Sequence, residues 1–290
     1  MQPMLGLDEL ETFAQGLDHS EGIAVASDGT IYVGGEAGQL YRVSTDGAIE
    51  EIANTGGFML GLALDADGFV YACDLTASCV WRIDPADGTK TVYSSGNAER
   101  HFATPNWGCF DAHGNYYLSD SGDWKGGNGL IWLVRPGGRA EVWTEESRHF
   151  PNGMALAPDG SRLFVLESTP GALVEFAIED DGRAGARTVL CDLPGTVPDG
   201  VAVAQDGSLV IACYRPDIIY RWRHDLGLQV LAHDPEGTTI AAPTNVAFTG
   251  SGLDTMVVPN LGRWHLTRFR HPELLGTPLP QPTREQLEAV

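Results

Sequence analysis

The sequence predicts an all-β protein, a six-bladed β-propeller with four antiparallel strands per blade. Three observations carry this: a hairpin pattern that recurs six times, a near-constant spacing between copies, and no helical periodicity before the C-terminal TREQLEAV. The copies are EGIAVASDGTIYV from Glu21, LGLALDADGFVYA from Leu60, NWGCFDAHGNYYL from Asn106, NGMALAPDGSRLFV from Asn152, DGVAVAQDGSLVI from Asp199 and TNVAFTGSGLDTMVV from Thr244. Each reads as an apolar strand, a tight turn of the Asp-Gly kind and a second apolar strand. Their starts lie 39, 46, 46, 47 and 45 residues apart, the length of one four-stranded blade. A third strand follows (LYRVS, VWRID, IWLVR, LVEFAI or IYRWR), then a fourth such as AIEEIA or KTVYSS. The upstream segment ELETFAQGL is expected to supply the outer strand of the last blade, because HLTRFR ends the chain's own contribution there. That pairing would close the ring by joining its two ends. Two stacked sandwiches would explain the strands but not the period. The chain thus reads as one propeller domain over residues 1–290, with 272–290 as a C-terminal tail.

Composition narrows the partners. The 39 acidic against 18 basic residues give a formal charge of −21, which repels phosphate backbones and anionic lipid. A small-molecule substrate is expected, and neither nucleic acid nor a membrane. The start MQPMLGLDELETF lacks a charged segment followed by an apolar run, and no stretch has the length of a membrane span, so a cytoplasmic location is expected. Five cysteines (Cys73, Cys79, Cys109, Cys191, Cys213) show no CxxC and no zinc-type spacing with His, and read as structural.

The residue seven places before the turn's Asp position opens the innermost strand of each blade. It reads Glu21, Leu60, Asn106, Asn152, Asp199 and Thr244. Innermost strands line the central channel, so these positions form a ring about the axis. Proline precedes four of them (Pro105, Pro151, Pro198, Pro243), fixing φ beside a side chain that must point accurately. Glu21, Asn106, Asn152 and Asp199 offer two carboxylates and two amide oxygens, a hard-oxygen set. It suits one divalent metal, Ca²⁺ in first place, with Mg²⁺ or Mn²⁺ as alternatives and Zn²⁺ a poorer match. Four protein ligands leave coordination positions for water or substrate.

These segments resemble the SMP-30/gluconolactonase/LRE-like family, also called the regucalcin family. The matching stretches are SEGIAV, TPNWGCFDAHGNYYLSD, FPNGMALAPDG, VPDGVAVAQDGSLVIACY and PTNVAF. The resemblance implies a metal-dependent propeller hydrolase with ligands at Glu21, Asn152 and Asp199, Asn106 near the metal or substrate, and Asp199 as catalytic base. The sugar-lactonase pattern has Arg-x-Asn-Asp around the third-blade amide, whereas this chain has Thr104-Pro105-Asn106-Trp107. No Arg is available there to grip sugar hydroxyls.

The expected reaction is opening of a cyclic ester by water, Asp199 acting as general base. Hydrolysis of phosphotriesters on the same site and a non-enzymatic Ca²⁺-binding role are the alternatives. Loops between second and third strands should open on the ring's face, offering Asp74, Asp120, Trp124, Glu167, Tyr214, Arg215, Asn260 and Trp264. Of the nearby side chains, Asn106, Trp107, Asp120 and Tyr214 are the expected substrate contacts. The glycines of SDSGDWKGGNG, residues 119–129, would let that loop act as a lid. His19 and His101 also fall near the mouth but have no partner by spacing and read as surface residues.

Overall fold

Each repeat folds as a four-stranded antiparallel sheet in the computed structural model, which describes residues 2–288. The innermost strands are Ile23–Val25, Met59–Leu64, Pro105–Phe110, Pro151–Leu156, Val197–Val203 and Ala247–Thr249. Every blade is strictly sequential from the inside outward except the sixth. There the outermost strand is Glu11–Gln15, paired antiparallel to His265–Phe269 with Phe13 opposite Leu266. The expected closure by the N-terminal segment is therefore present.

The Asp-Gly turns work through backbone geometry. Gly29, Gly68, Gly114, Gly160 and Gly207 have φ between 70° and 88°, a left-handed conformation that glycine adopts without steric penalty. Alternation along the strands then sends one side-chain set toward each neighbouring blade.

Packing confirms that the circle is complete, because an apolar cluster lies between every adjacent pair of blades. The one joining blade 6 to blade 1 contains Phe13, Leu17, Ile23, Val33, Tyr41, Val257 and Leu266. Burying one such side chain contributes roughly 1.5–3 kcal/mol. Cys73, Cys79 and Cys213 are buried in strands and all five thiols are free. Burial pushes the Cys73 and Cys79 thiols up to about 12, so they behave as apolar groups.

The C-terminal tail crosses the disc on the hairpin-turn face. It bonds first to blade 5, through Gln205 N–H to Leu275 O (2.7 Å) and Thr277 N–H to Val203 O (3.1 Å). It next meets blade 2, where Ala66 N–H donates to Pro282 O (3.0 Å), and ends in helix Arg284–Glu288 beside blade 3. Leu287 enters the apolar cluster between blades 2 and 3. Blades 5 and 2 are opposite in a six-membered ring, so the proline-rich residues 278–281 span its centre. No helix among the described residues is long and apolar enough to cross a membrane.

Candidate functional site

The six ring positions are consecutive neighbours around the axis, and glycine is what lets them approach. In four blades the next residue is Gly22, Gly61, Gly153 or Gly200. A Cβ on Gly22 would collide with Leu60 O, and one on Gly153 with Asp199 O. On Gly61 it would lie 2.8 Å from Asn106 O, and on Gly200 2.7 Å from Thr244 O. Two hydroxyl bonds complete the circuit: Ser119 Oγ donates to Asn152 O (2.9 Å) and Thr244 Oγ1 to Glu21 O (3.0 Å). Glu21 and Thr244 stand just ahead of their short strands, yet Glu21 N–H still pairs with Gly34 O at 2.9 Å.

The polar side chains of this ring are withdrawn from bulk water. Asn106, Asn152 and Asp199 are 6%, 6% and 7% exposed. Both amides are turned the same way. Asn106 Nδ2 donates to Ser121 Oγ (2.9 Å), which donates to Pro151 O (2.7 Å); Asn152 Nδ2 donates to Ser168 Oγ (3.4 Å), which donates to Pro198 O (2.7 Å). Each serine thus takes an amide N–H and leaves the amide oxygen, an acceptor, turned away from it. Sequence reasoning missed Ser121 and Ser168, although a signal existed: serine follows the strand-end acid in Asp120-Ser121 and Glu167-Ser168, the two blades whose ring residue is Asn.

Two buried oxygens of the cluster, Glu21 Oε2 and Asn152 Oδ1, have no hydrogen-bond partner. Such atoms are costly unless something pairs with them. Burial pushes the Asp199 carboxyl up to about 8, with Asn152 offsetting part of the rise. Glu21 is held well above the usual carboxylate range, through burial first and the Asp199 charge second. No Lys or Arg contributes at either group. Oxygen donors lacking partners, two facing carboxylates and no basic residue match a hard divalent cation. The amides are needed to complete the set, since among the described residues no three His, Cys, Asp or Glu side chains gather at any point.

The other expected contacts are placed differently. Asp120 is 2% exposed and its carboxylate accepts Ala103 N–H (2.9 Å), Thr104 N–H (2.7 Å) and Trp132 Nε1–H (3.1 Å). It therefore holds the loop delivering Asn106, and the carboxylate expected to meet a substrate is taken up by these three donors. The same inward turn occupies Asp74, which accepts from Trp81 Nε1 (3.0 Å), Glu167, paired with Arg187, and Asn260, which accepts Ala241 N–H (2.8 Å). Trp107, also expected to contact substrate, is half-buried and packs on the cluster between blades 3 and 4. Tyr214 remains half-buried on the ring's face under the Arg215 guanidinium, 4.6 Å from its ring centre. His19 Nδ1 lies 2.7 Å from Asp18 Oδ1, a pairing that residue spacing did not suggest. His101 is exposed and contacts its own loop at Ser95 O.

Loop 119–129 ties back on itself through Asp123 and Asn128, at 2.9 and 3.1 Å. A groove of about 930 Å³ between blades 4 and 5, lined by Arg162, Asp206, Trp222 and His224, opens on the opposite face from the ring. Its guanidinium groups are neutralised by Glu175 and Asp206.

Fold and site together define a closed six-bladed propeller with a buried axial cluster of oxygen donors. The chain belongs to the SMP-30/Gluconolactonase/LRE-like family, whose model matches residues 20–260. It is 26% identical over 171 residues to a gluconolactonase from Zymomonas mobilis, an alignment covering 51% of this chain and 47% of the relative. The chain spans about half the length of the curated relatives it matches. In fold it is similar to a gluconolactonase from Xanthomonas campestris, with TM-score 0.78 and 21% identity over 91% of this chain and 89% of the other. It is also similar to a calcium-binding regucalcin from Agrobacterium tumefaciens, with TM-score 0.75 and 18% identity over 97% and 98%.

Proposed function

We propose that Glu21, Asn106, Asn152 and Asp199 hold one divalent cation, Ca²⁺ in first place, and that the chain hydrolyses a cyclic ester at that site. The observation that carries this is the pair of buried, unpartnered oxygens on Glu21 and Asn152 beside the Asp199 carboxyl. The names of the relatives support a lactonase-type hydrolase. Bound there, a divalent cation supplies Lewis acidity toward an ester carbonyl.

The chain's own residues do the rest. Ser121 and Ser168 fix the two amides, so their oxygens stay oriented without rearrangement. Leu60 and Thr244 complete the ring as sectors without an acid or amide. The tail crosses the turn face, so a substrate enters from the loop face. Water adds to the carbonyl carbon as its proton passes to an Asp199 carboxylate oxygen; the ring C–O bond then breaks and the ring oxygen takes a proton, releasing a hydroxy acid.

Chelation tests the proposal. Purified protein is expected to carry about one divalent ion per chain, to lose lactone hydrolysis on its removal and to regain it on adding Ca²⁺. Undiminished hydrolysis by thoroughly metal-free protein would overturn the mechanism. A purely Ca²⁺-binding role, in keeping with the regucalcin likeness, predicts stoichiometric binding and no turnover of any lactone.

A further inference from the structure

Among the described residues only two aromatic side chains count as large exposed hydrophobics, Trp124 at 51% and Trp264 at 47%. They stand in corresponding loops, between the second and third strands of blades 3 and 6. Those blades are diametrically opposite, and both loops lie on the face where the ring positions open.

Each indole is braced in the same manner by the neighbouring blade. Trp124 meets Phe150 edge to face, ring centres 4.9 Å apart, and Trp264 meets His19 at 5.0 Å. Phe150 stands two residues before Asn152, and His19 two residues before Glu21. Asn152 and Glu21 are the ring members whose buried oxygens lack partners. Both braces have left-handed backbones, φ 58° at Phe150 and 40° at His19, as does Trp264 at 57°. Bulky residues enter that region at a steric cost, and such strain concentrates where a ligand site needs it. Each brace leaves about half of its indole wet, which is not what packing alone would favour.

Three strand-end polar groups near the mouth are withdrawn from any ligand. Asp120, Glu167 and Asn260 are committed to internal bonds on this face. A sugar-like ring would find none of these three free for its hydroxyls, while a hydrocarbon or aryl substituent would find an exposed indole in each of two opposite blades.

We infer that Trp124 and Trp264 are specificity-determining jaws flanking the axial cluster, and that they select a cyclic ester bearing an apolar substituent. The inference rests on the hydrolase reading for its substrate, but its geometry concerns binding and can be tested apart from turnover.

The experiment compares γ-nonalactone, γ-butyrolactone and glucono-1,5-lactone as substrates, with 5-pentylpyrrolidin-2-one, the lactam of the first, as a binding probe by calorimetry. Wild type, W124A, W264A and the conservative W124F and W264F are measured, each checked for native circular dichroism. Wild type is expected to favour γ-nonalactone over γ-butyrolactone by about ten-fold or more in kcat/KM, and either alanine variant to reduce that ratio several-fold. The phenylalanine variants should retain most of it, and lactam affinity should follow the same order. If wild type opens no lactone but binds the lactam in this tryptophan-dependent order, the hydrolase reading fails and the jaws stand. Lactone opening with no preference for the alkyl chain, or a preference untouched by both alanine variants, overturns the jaws and leaves the hydrolase reading intact. Absence of both turnover and lactam binding overturns the inference.

Discussion

At the scale of single residues, the protein places two carboxyl groups where ionisation is unfavourable and offers no basic side chain in return. Asp199 sits at about 8 against an ordinary value of 3.8, because burial disfavours its anion. The sign of the resulting pH dependence follows. A carboxyl whose folded pKa is raised stabilises the fold only while protonated, so cation-free protein loses stability as pH climbs from about 4 through about 8. A cation binds the ionised form, and its apparent affinity rises across that same window. The upward shift in Tm on adding Ca²⁺ should accordingly be larger at about pH 8.5 than at about pH 5.5, with D199N flattening the difference. Differential scanning calorimetry at both pH values checks this; equal shifts, or a larger one in acid, would contradict it.

At the scale of strands and loops, each blade delivers one side chain to the axis and uses its strand ends to hold that side chain still. The delivery was legible in the sequence, because the turn glycines fix the register and the residue seven places earlier must open the innermost strand. Which way the strand-end residues face was not. Asp120 ends the second strand of blade 3 and Tyr214 stands one residue before the end of that of blade 5, yet the acid turns inward to three N–H donors while the tyrosine stays on the face. That choice depends on the path of the incoming loop, which no residue spacing encodes. The direction of Trp107 was hidden for a related reason: it adjoins Asn106 in sequence, but strand alternation sends it to the other side, onto the cluster between blades 3 and 4. The serines that orient the amides carry a prediction of their own. S121A and S168A free the amide N–H groups of Asn106 and Asn152, and each should weaken Ca²⁺ binding by about 10-fold or more, as loss of outer-shell partners typically does. Calorimetric titration reads this directly; unchanged affinity in both variants would show that the amides are oriented by something else.

At the scale of the whole molecule, two chain ends keep the disc shut. The N-terminal strand completes the sixth sheet, while the tail ties blade 5 to blade 2 across the turn face and seats Leu287 against blade 3. The first was legible because five repeats were complete and the sixth lacked a strand. The second was not, since the tail's anchors are scattered over distant turns, some through backbone groups and some through Gln205, Gln286, Leu274 and Leu287, with no regular spacing to link them. Deleting residues 272–290 removes the buried Leu274 and Leu287 and should lower Tm by about 5 °C or more. An unchanged melting profile would mean that the tail lies on the disc without bracing it.

All of this turns on whether distant repeats share a single ion at the axis. Crystals soaked in Mn²⁺, a hard-oxygen cation with useful anomalous scattering, put the matter to a direct test. An anomalous difference map should show one strong peak touching oxygens of Glu21, Asn106, Asn152 and Asp199. A peak on the rim, or none at the axis under saturating Mn²⁺, would contradict the account.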